Sequence, residues 1–390
     1  MMNEYISRIK GSASMELMAK ANDMKKQGVD VIGLGGGEPD FDTPQVIKNV
    51  AIAELLNGNT HYAVGKGILK LRERISKKLY DDNGIKMSPD EIVVTPGGKI
   101  AIYLAVRSLI NAGDEVLILN PGWVSYDEIV VASGGTPINV PLNSKNNYYL
   151  DYNLLEKYVS NKTKVIIVNS PNNPTGHVLG RDELLVLKKF VLNHNLILIS
   201  DEIYEKIVFD GHKVCSPAAD PELRNQTITI NGFSKAYAMT GWRLGYLAAD
   251  IEIINTITKL YTHTITGTSP FIQEAAVVAL DCDNEVEIMR KKYEERRNRF
   301  IKALNEIPYV EAKLPEGAFY AWVKFSYKDM NAYQVADLLL TKAHVIGVPG
   351  PAYGLSGDNY IRFSFANSDE DLDEAVRRIK SVFLDSTPAK

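Results

Sequence analysis

The run Ser234-Lys235-Ala236-Tyr237-Ala238-Met239-Thr240-Gly241-Trp242-Arg243 sets a lysine and an arginine eight positions apart and continues into Leu244-Gly245-Tyr246. A lysine amine forms a Schiff base with an aldehyde, and a guanidinium offers a planar fork of donors suited to phosphate. Aldehyde and phosphate on one small molecule describe pyridoxal 5'-phosphate, which protein sites hold by a lysine and an acidic partner for the pyridine nitrogen. Taken alone, the segment reads equally well as solvated surface charge.

The other parts of such a site follow in order. Asp201-Glu202-Ile203-Tyr204 comes after Leu196-Ile197-Leu198-Ile199-Ser200, whose apolar run reads as a buried strand. Asp201 then falls at the carboxyl end of a strand, where open α/β sheets bind ligands. A carboxylate there pairs with a protonated ring nitrogen, or it caps a helix that follows the strand. Upstream, Val165-Ile166-Ile167-Val168 is a second strand-like run leading into Asn169-Ser170-Pro171-Asn172-Asn173-Pro174-Thr175-Gly176. That composition makes a rigid, irregular loop, and Asn173, standing before Pro174, is steered away from helix so that its side chain can be held toward a ligand.

With these motifs, from Gly35-Gly36-Gly37-Glu38-Pro39-Asp40-Phe41 to Tyr360-Ile361-Arg362-Phe363-Ser364, the chain resembles the fold-type-I pyridoxal-phosphate aminotransferases, most closely the class I aspartate aminotransferase group of bacterial type. The resemblance implies that Lys235 binds the cofactor and later moves the substrate proton. It implies Asp201 as the partner of the pyridine nitrogen, with Tyr204 and Asn173 as the donors to the ring's phenolic oxygen. Trp123, in Asn120-Pro121-Gly122-Trp123-Val124-Ser125-Tyr126, resembles the aromatic ring stacked on the cofactor. Arg243 and the loop bearing Gly98, Lys99 and Ile100 resemble the phosphate cradle, where helix N-terminal N–H groups meet the anion. Either Ser234 or a water replaces the hydroxyl missing at Gly232, or the cradle has one fewer. Tyr62 resembles a tyrosine that reaches the phosphate from a partner subunit.

For the substrate, the resemblance implies Arg362 as the clamp on the α-carboxylate and Gly37 as the backbone that approaches it, with Trp123 and Asn173 alongside. A bidentate fork suits a carboxylate, and a glycine leaves room for it. Lys99 matches a lysine associated with the distal carboxylate of acidic substrates, and its alternative role is in the phosphate cradle. Lys10 lies in a segment that in relatives folds over the substrate. Two positions depart from the pattern. Gly232 stands where many relatives have a phosphate-binding serine, and Gly122 stands where a bulkier residue is common, which would open space beside the ring.

The activity implied is transamination between an L-amino acid and a 2-oxo acid, with aspartate and glutamate/2-oxoglutarate leading. Aromatic, prephenate or alanine-type substrates stay open. So do β-lyase, decarboxylase or oxidase chemistry on the same scaffold, and a non-catalytic cofactor-binding regulator. The resemblance also implies a homodimer with shared active sites.

Composition frames this reading. The 390 residues, 45% hydrophobic and 24% charged, suffice for a large core and about two domains. A net charge of −4 gives no basic footprint for nucleic acid. No apolar run suits a membrane span, and the first residues lack the apolar core of a signal peptide. Two cysteines and six histidines without ligand spacing predict no disulfide framework and no metal, and fit a cytoplasmic protein. Strand-like runs at 116–119, 165–168, 196–199, 227–230 and 244–248, with helical stretches at 100–111 and 181–193, predict an α/β fold with a mostly parallel sheet flanked by helices. A long helix over 281–307, with Val286, Met289, Tyr293, Phe300 and Leu304 on its apolar stripe, would carry the chain onward. The expected division is a large cofactor-binding domain at 45–283 and a smaller, discontinuous α+β domain from 1–44 and 284–390, with a frayed tail at 386–390.

Overall fold

The computed structural model describes residues 4–9, 11, 13–63 and 65–384; Lys10 and the tail at 386–390 lie outside them. After a two-residue strand β1 (Ile32–Gly33), the chain builds a seven-stranded sheet. Its strands are β2 (Ile92–Thr95), β3 (Glu115–Asn120), β4 (Thr136–Pro141), β5 (Thr163–Asn169), β6 (Ile197–Asp201), β7 (Thr227–Gly232) and β8 (Gly245–Ala248). They lie in the order β2-β8-β7-β6-β5-β3-β4, and all pairings are parallel except the two made by β8. Strands covered on both faces read as unbroken apolar runs rather than as alternation. In β5 the residues Val165, Ile166, Ile167 and Val168 are all buried, with Val165 and Ile167 against one core cluster and Ile166 and Val168 against another.

The helices Gly98–Leu109 and Ile251–Thr264 cover the first of these faces, and Arg181–His194 covers the second. Strand β4 was not among the expected runs. Pro137 and Pro141 interrupt its pattern, and it is tolerated because it lies at the sheet edge, where missing N–H donors cost little.

A 22-residue helix, Asp283–Leu304, leads into a second sheet, and its expected stripe is buried. That sheet contains β9 (Val310–Ala312), β10 (Tyr320–Phe325), β12 (Val348–Pro349) and β13 (Tyr360–Ser364), all antiparallel, in the order β12-β13-β10-β9. Strand β11 (Val345–Ile346) pairs in parallel with β1, which brings the segment that runs into Gly35-Gly36-Gly37 beside the carboxyl-terminal third of the chain. Among the described residues no helix is long and apolar enough to cross a membrane.

Candidate active site

The parallel strands β5, β6 and β7 deliver their carboxyl ends to one rim of the large sheet. Asn169 ends β5 and pairs in register with Asp201, which ends β6; Ser234 and Lys235 follow the end of β7. Across from this rim stand the glycines at 35–37 and the two central strands of the small sheet, β10 and β13. Between them lies a cleft of about 560 Å³ walled by Gly37, Gly98, Lys99, Trp123, Asn173, Asp201, Tyr204, Ser234, Lys235, Arg243 and Arg362. Of the predicted residues, Ile100 and Tyr62 stand outside it. The Ile100 side chain packs on the core under the helix, so only its backbone N–H is left to serve an anion, and Tyr62 is 93% exposed.

Lys235 donates to the carbonyl of Gly37 and lies within 5.8 Å of the ring centroids of Tyr204 and Phe319. Burial lowers its pKa to about 8, helped by the positive charges of Arg362 and Arg243. A lysine that neutral can accept a proton near physiological pH. Asp201 is buried, and burial raises its pKa to about 6. The Tyr126 hydroxyl at 2.6 Å, the Ile203 N–H at 3.2 Å and the charge of Lys235 oppose that rise and keep the carboxylate mostly ionised at neutral pH. No helix follows β6, so Asp201 does not cap one; the chain enters turns instead.

One end of the cleft, expected from sequence to hold the phosphate, combines a helix N-terminus with cations. Gly97 precedes the helix Gly98–Leu109 at φ +88°, and the first N–H groups of any helix lack intrahelical acceptors. A Cβ on Gly97 would lie 2.6 Å from a terminal nitrogen of Arg243, so this glycine lets the guanidinium settle against the turn. Arg243 itself adopts a left-handed φ of 53°, and its Nη1 donates to the Thr240 carbonyl at 2.9 Å. Lys99 holds its ammonium 4.9 Å from the Trp123 ring, and its pKa is lowered by burial and by Arg243.

Arg362 lies on β13, where the period of two sends Ile361 and Phe363 into the core and Arg362 to the cleft. It is 4% exposed. Its Nη1 donates to Asn173 Oδ1 at 3.0 Å and its Nη2 to the carbonyls of Gly35 and Gly36, while its Nε, also buried, has no partner among the described residues. Asn173 is itself fixed by its N–H to Asn169 Oδ1 at 2.8 Å, and its Oδ1 is taken by Arg362, which leaves the amide N–H groups for a ligand.

The structure adds residues that sequence reasoning left without a role. Tyr126 holds Asp201, Asn169 ties the Asp201 carbonyl to Asn173, and Tyr320 meets Tyr204 hydroxyl to hydroxyl at 2.8 Å. Tyr126 and Asn169 stood inside quoted motifs, but partners 75 and 32 positions away leave no local trace. Both departures find steric reasons. A Cβ on Gly232 would sit 2.8 Å from the Cα of Gly245, so the strand pair β7–β8 has no room for serine, and Ser234 faces the cleft instead. A Cβ on Gly122 would sit 2.5 Å from the Leu119 carbonyl, and Gly122 borders a separate inner cavity with Leu119 and Tyr148. It therefore opens no space beside the cofactor ring, contrary to the expectation from sequence.

These residues fit pyridoxal 5'-phosphate by chemistry. They supply an amine of lowered pKa, a buried carboxylate at a strand end, an indole face, and a glycine turn and guanidinium at a helix N-terminus. No cluster of potential metal ligands occurs among the described residues. The profile of the family described as "Aminotransferase class I and II" matches residues 29–379. A probable aspartate/prephenate aminotransferase from Aquifex aeolicus is 41% identical over 387 residues, 97% of this chain and 97% of its own. Aromatic-amino-acid aminotransferase 2 of Thermococcus litoralis is 41% identical over 361 residues, covering 91% of this chain and 92% of that one. The solved aspartate aminotransferase from Thermus thermophilus with maleate has a TM-score of 0.93 at 35% identity, covering 98% and 99% of the two chains. A cleft of this chemistry on a chain matched almost end to end identifies the protein as a member of the class I and II aminotransferases, of fold type I and dependent on pyridoxal 5'-phosphate.

Proposed function

We propose that this aminotransferase takes L-aspartate as its amino donor, with glutamate and 2-oxoglutarate as the second pair. The observation that carries this reading is Lys99, a cation in the cleft beyond Arg362, Arg243 and Lys235. Arg362, whose Nε has no partner among the described residues, suits the α-carboxylate, and Lys99, which feels the charge of Arg243, has no carboxylate partner among them. A dicarboxylate satisfies both. Aspartate aminotransferase is also the commonest name among relatives at 38–41% identity. The Thermococcus relative supports an aromatic alternative, in which the Trp123 face receives the side chain.

When bound, the cofactor supplies an aldehyde to carry the amino group and a ring that withdraws electrons. The chain's residues do the rest. Arg362 grips the α-carboxylate where Gly37 leaves space, and Lys235, held at the Gly37 carbonyl, takes the Cα proton. Asp201 keeps the ring nitrogen protonated, while Tyr204 and Asn173 donate to the ring oxygen.

Supporting a homodimer, the helix Gln45–Leu56 exposes Val46, Ile52, Leu55 and Leu56, and beyond it Tyr62 and Leu69 are exposed too. An apolar strip of that kind fits a second copy of the chain, to whose phosphate Tyr62 would reach. Sedimentation at twice the 43.3 kDa chain mass is the expected result. A cytoplasmic location and the division at 45–283 belong to the same reading. The first measurement mixes loaded protein with single amino acids, without acceptor, and assays oxo acid. Aspartate and glutamate should react, and Lys99→Ala should raise the KM for aspartate roughly 10–100-fold, the worth of one charge-assisted hydrogen bond, but leave alanine unaffected. Conversion by aromatic amino acids alone would overturn the aspartate assignment.

A further inference from the structure

The paired phenols Tyr204 and Tyr320 are the buried polar contact in the cleft that the reading above does not use. Tyr204 is 4% and Tyr320 1% exposed, and their oxygens lie 2.8 Å apart. Among the described residues, each hydroxyl has the other as its only hydrogen-bond partner. Two hydroxyls bring two protons and need only one between them, so the second proton must point elsewhere. The Tyr320 oxygen is also wedged against Gly37, where a Cβ would lie 2.8 Å from it. The Arg362 guanidinium stands 4.3 Å from the Tyr320 ring centroid.

We propose that Tyr320 is a positioning residue: its hydroxyl donates to the Tyr204 oxygen and so turns the Tyr204 proton toward the cofactor's ring oxygen. This rests on the reading of Tyr204 as a donor to that oxygen. The polarity follows from charge. Beside a guanidinium, Tyr320 is the phenol better disposed to donate, whereas a Tyr204 that gave its proton to Tyr320 would offer only lone pairs to an anionic oxygen. Donation in series, from Tyr320 to Tyr204 to the ring oxygen, also polarises each bond and strengthens the last.

The bland alternative is that the Tyr320 ring only packs under Arg362, a task phenylalanine performs equally well. The test is the pH midpoint of the visible absorbance of the cofactor-loaded protein, which follows the proton on the lysine nitrogen joined to the cofactor. A hydrogen bond to the ring oxygen stabilises its negative charge and weakens its hold on that proton, so losing the bond raises the midpoint. Tyr204→Phe should raise it by about one unit or more, and Tyr320→Phe by a few tenths of a unit, as expected from loss of polarisation alone. The double variant should match Tyr204→Phe, because Tyr320 acts only through Tyr204. A Tyr320→Phe midpoint equal to that of the parent, with Tyr204→Phe shifted, overturns the proposal and leaves the Tyr204 reading standing. Additive shifts in the double variant also overturn it. An unshifted Tyr204→Phe overturns the reading of Tyr204, and the proposal with it.

Discussion

At the carboxylate of Asp201, burial outweighs the groups that favour its charge, and a single phenol is the largest of those groups. Burial pushes the pKa up to about 6, and the Tyr126 hydroxyl is first among the groups that resist the rise. Tyr126 keeps its proton for this task, since its own burial and the neighbouring Asp201 charge hold its pKa well above the ordinary phenol value. Tyr126→Phe removes one hydrogen bond to a charged group, worth about 1.5–3 kcal/mol, and so raises the Asp201 pKa by about one to two units. In the cofactor-free protein the Asp201 carboxyl should titrate higher by that amount, read from its NMR chemical shift against pH. An unmoved midpoint would mean that Tyr126 does not hold the Asp201 charge. At Lys235 the balance runs the other way. With a pKa of about 8, set first by burial and then by Arg362 and Arg243, the amine is a base within reach of neutral pH. Lys235→Ala should abolish release of oxo acid from every amino acid, and normal turnover by that variant would dismiss the site assignment.

At the scale of elements, the site depends on how closely strands β7 and β8 and the turn before the helix Gly98–Leu109 approach one another. Gly232 and Gly245 are register partners, and a Cβ on either would strike its neighbour's backbone: Gly232 meets the Gly245 Cα, and Gly245 meets the Gly98 nitrogen at 2.7 Å. The serine that the resemblance led one to expect at this position would therefore cost this chain stability rather than improve its cradle. Gly232→Ser should lower unfolding free energy by about 1–3 kcal/mol, the usual penalty for overpacking, and weaken cofactor retention; a urea titration and a cofactor release assay read the two effects. A variant as stable as the parent would show that the strands can move apart. This layer also marks how far the sequence could be read. Lys235, Asp201, Asn173 and Arg362 were legible because each lies on or beside a strand whose apolar run announces itself, and the main parallel strands were legible for the same reason. Strand β4 was hidden by its prolines. The pairings of Tyr126 with Asp201 and of Tyr320 with Tyr204 were hidden by distance along the chain, since only the assembled sheet order brings those residues together. Gly122 misled because the consequence of a missing side chain depends on where its Cβ would point, and here it points at backbone.

At the scale of the molecule, the loop that carries Asn173 is fastened to the segment that enters β10, and a histidine makes the joint. His177 Nε2 lies 3.0 Å from both carboxylate oxygens of Glu183, and its Nδ1 lies 3.1 Å from Glu316. The same carboxylates also accept backbone N–H groups, Glu183 from Leu150 and Gly180, and Glu316 from Val178. Beside the histidine, the Gly317 N–H donates to the Gly176 carbonyl at 2.8 Å. Burial by itself would push the imidazole down, but the two carboxylates overcome it and raise its pKa to about 9. An imidazole pKa raised on folding contributes stability that is whole below about pH 6.5, its unfolded value, and is lost as pH rises through about 9. The stake is at most about 3 kcal/mol, from the difference between those two values. Urea midpoints of the loaded protein should therefore fall between pH 6.5 and 9.5. Glu202, whose pKa burial raises to about 7, titrates in or near the same window, so the comparison must be made against a variant in which it is intact. His177→Gln keeps a hydrogen-bonding side chain but no charge. It should be less stable than the parent at pH 6.5, and the gap should close as the pH approaches 9.5. A gap that stays constant over that range would show that folding does not raise the His177 pKa, and that the joint between the Asn173 loop and the second sheet draws no stability from a charged imidazole.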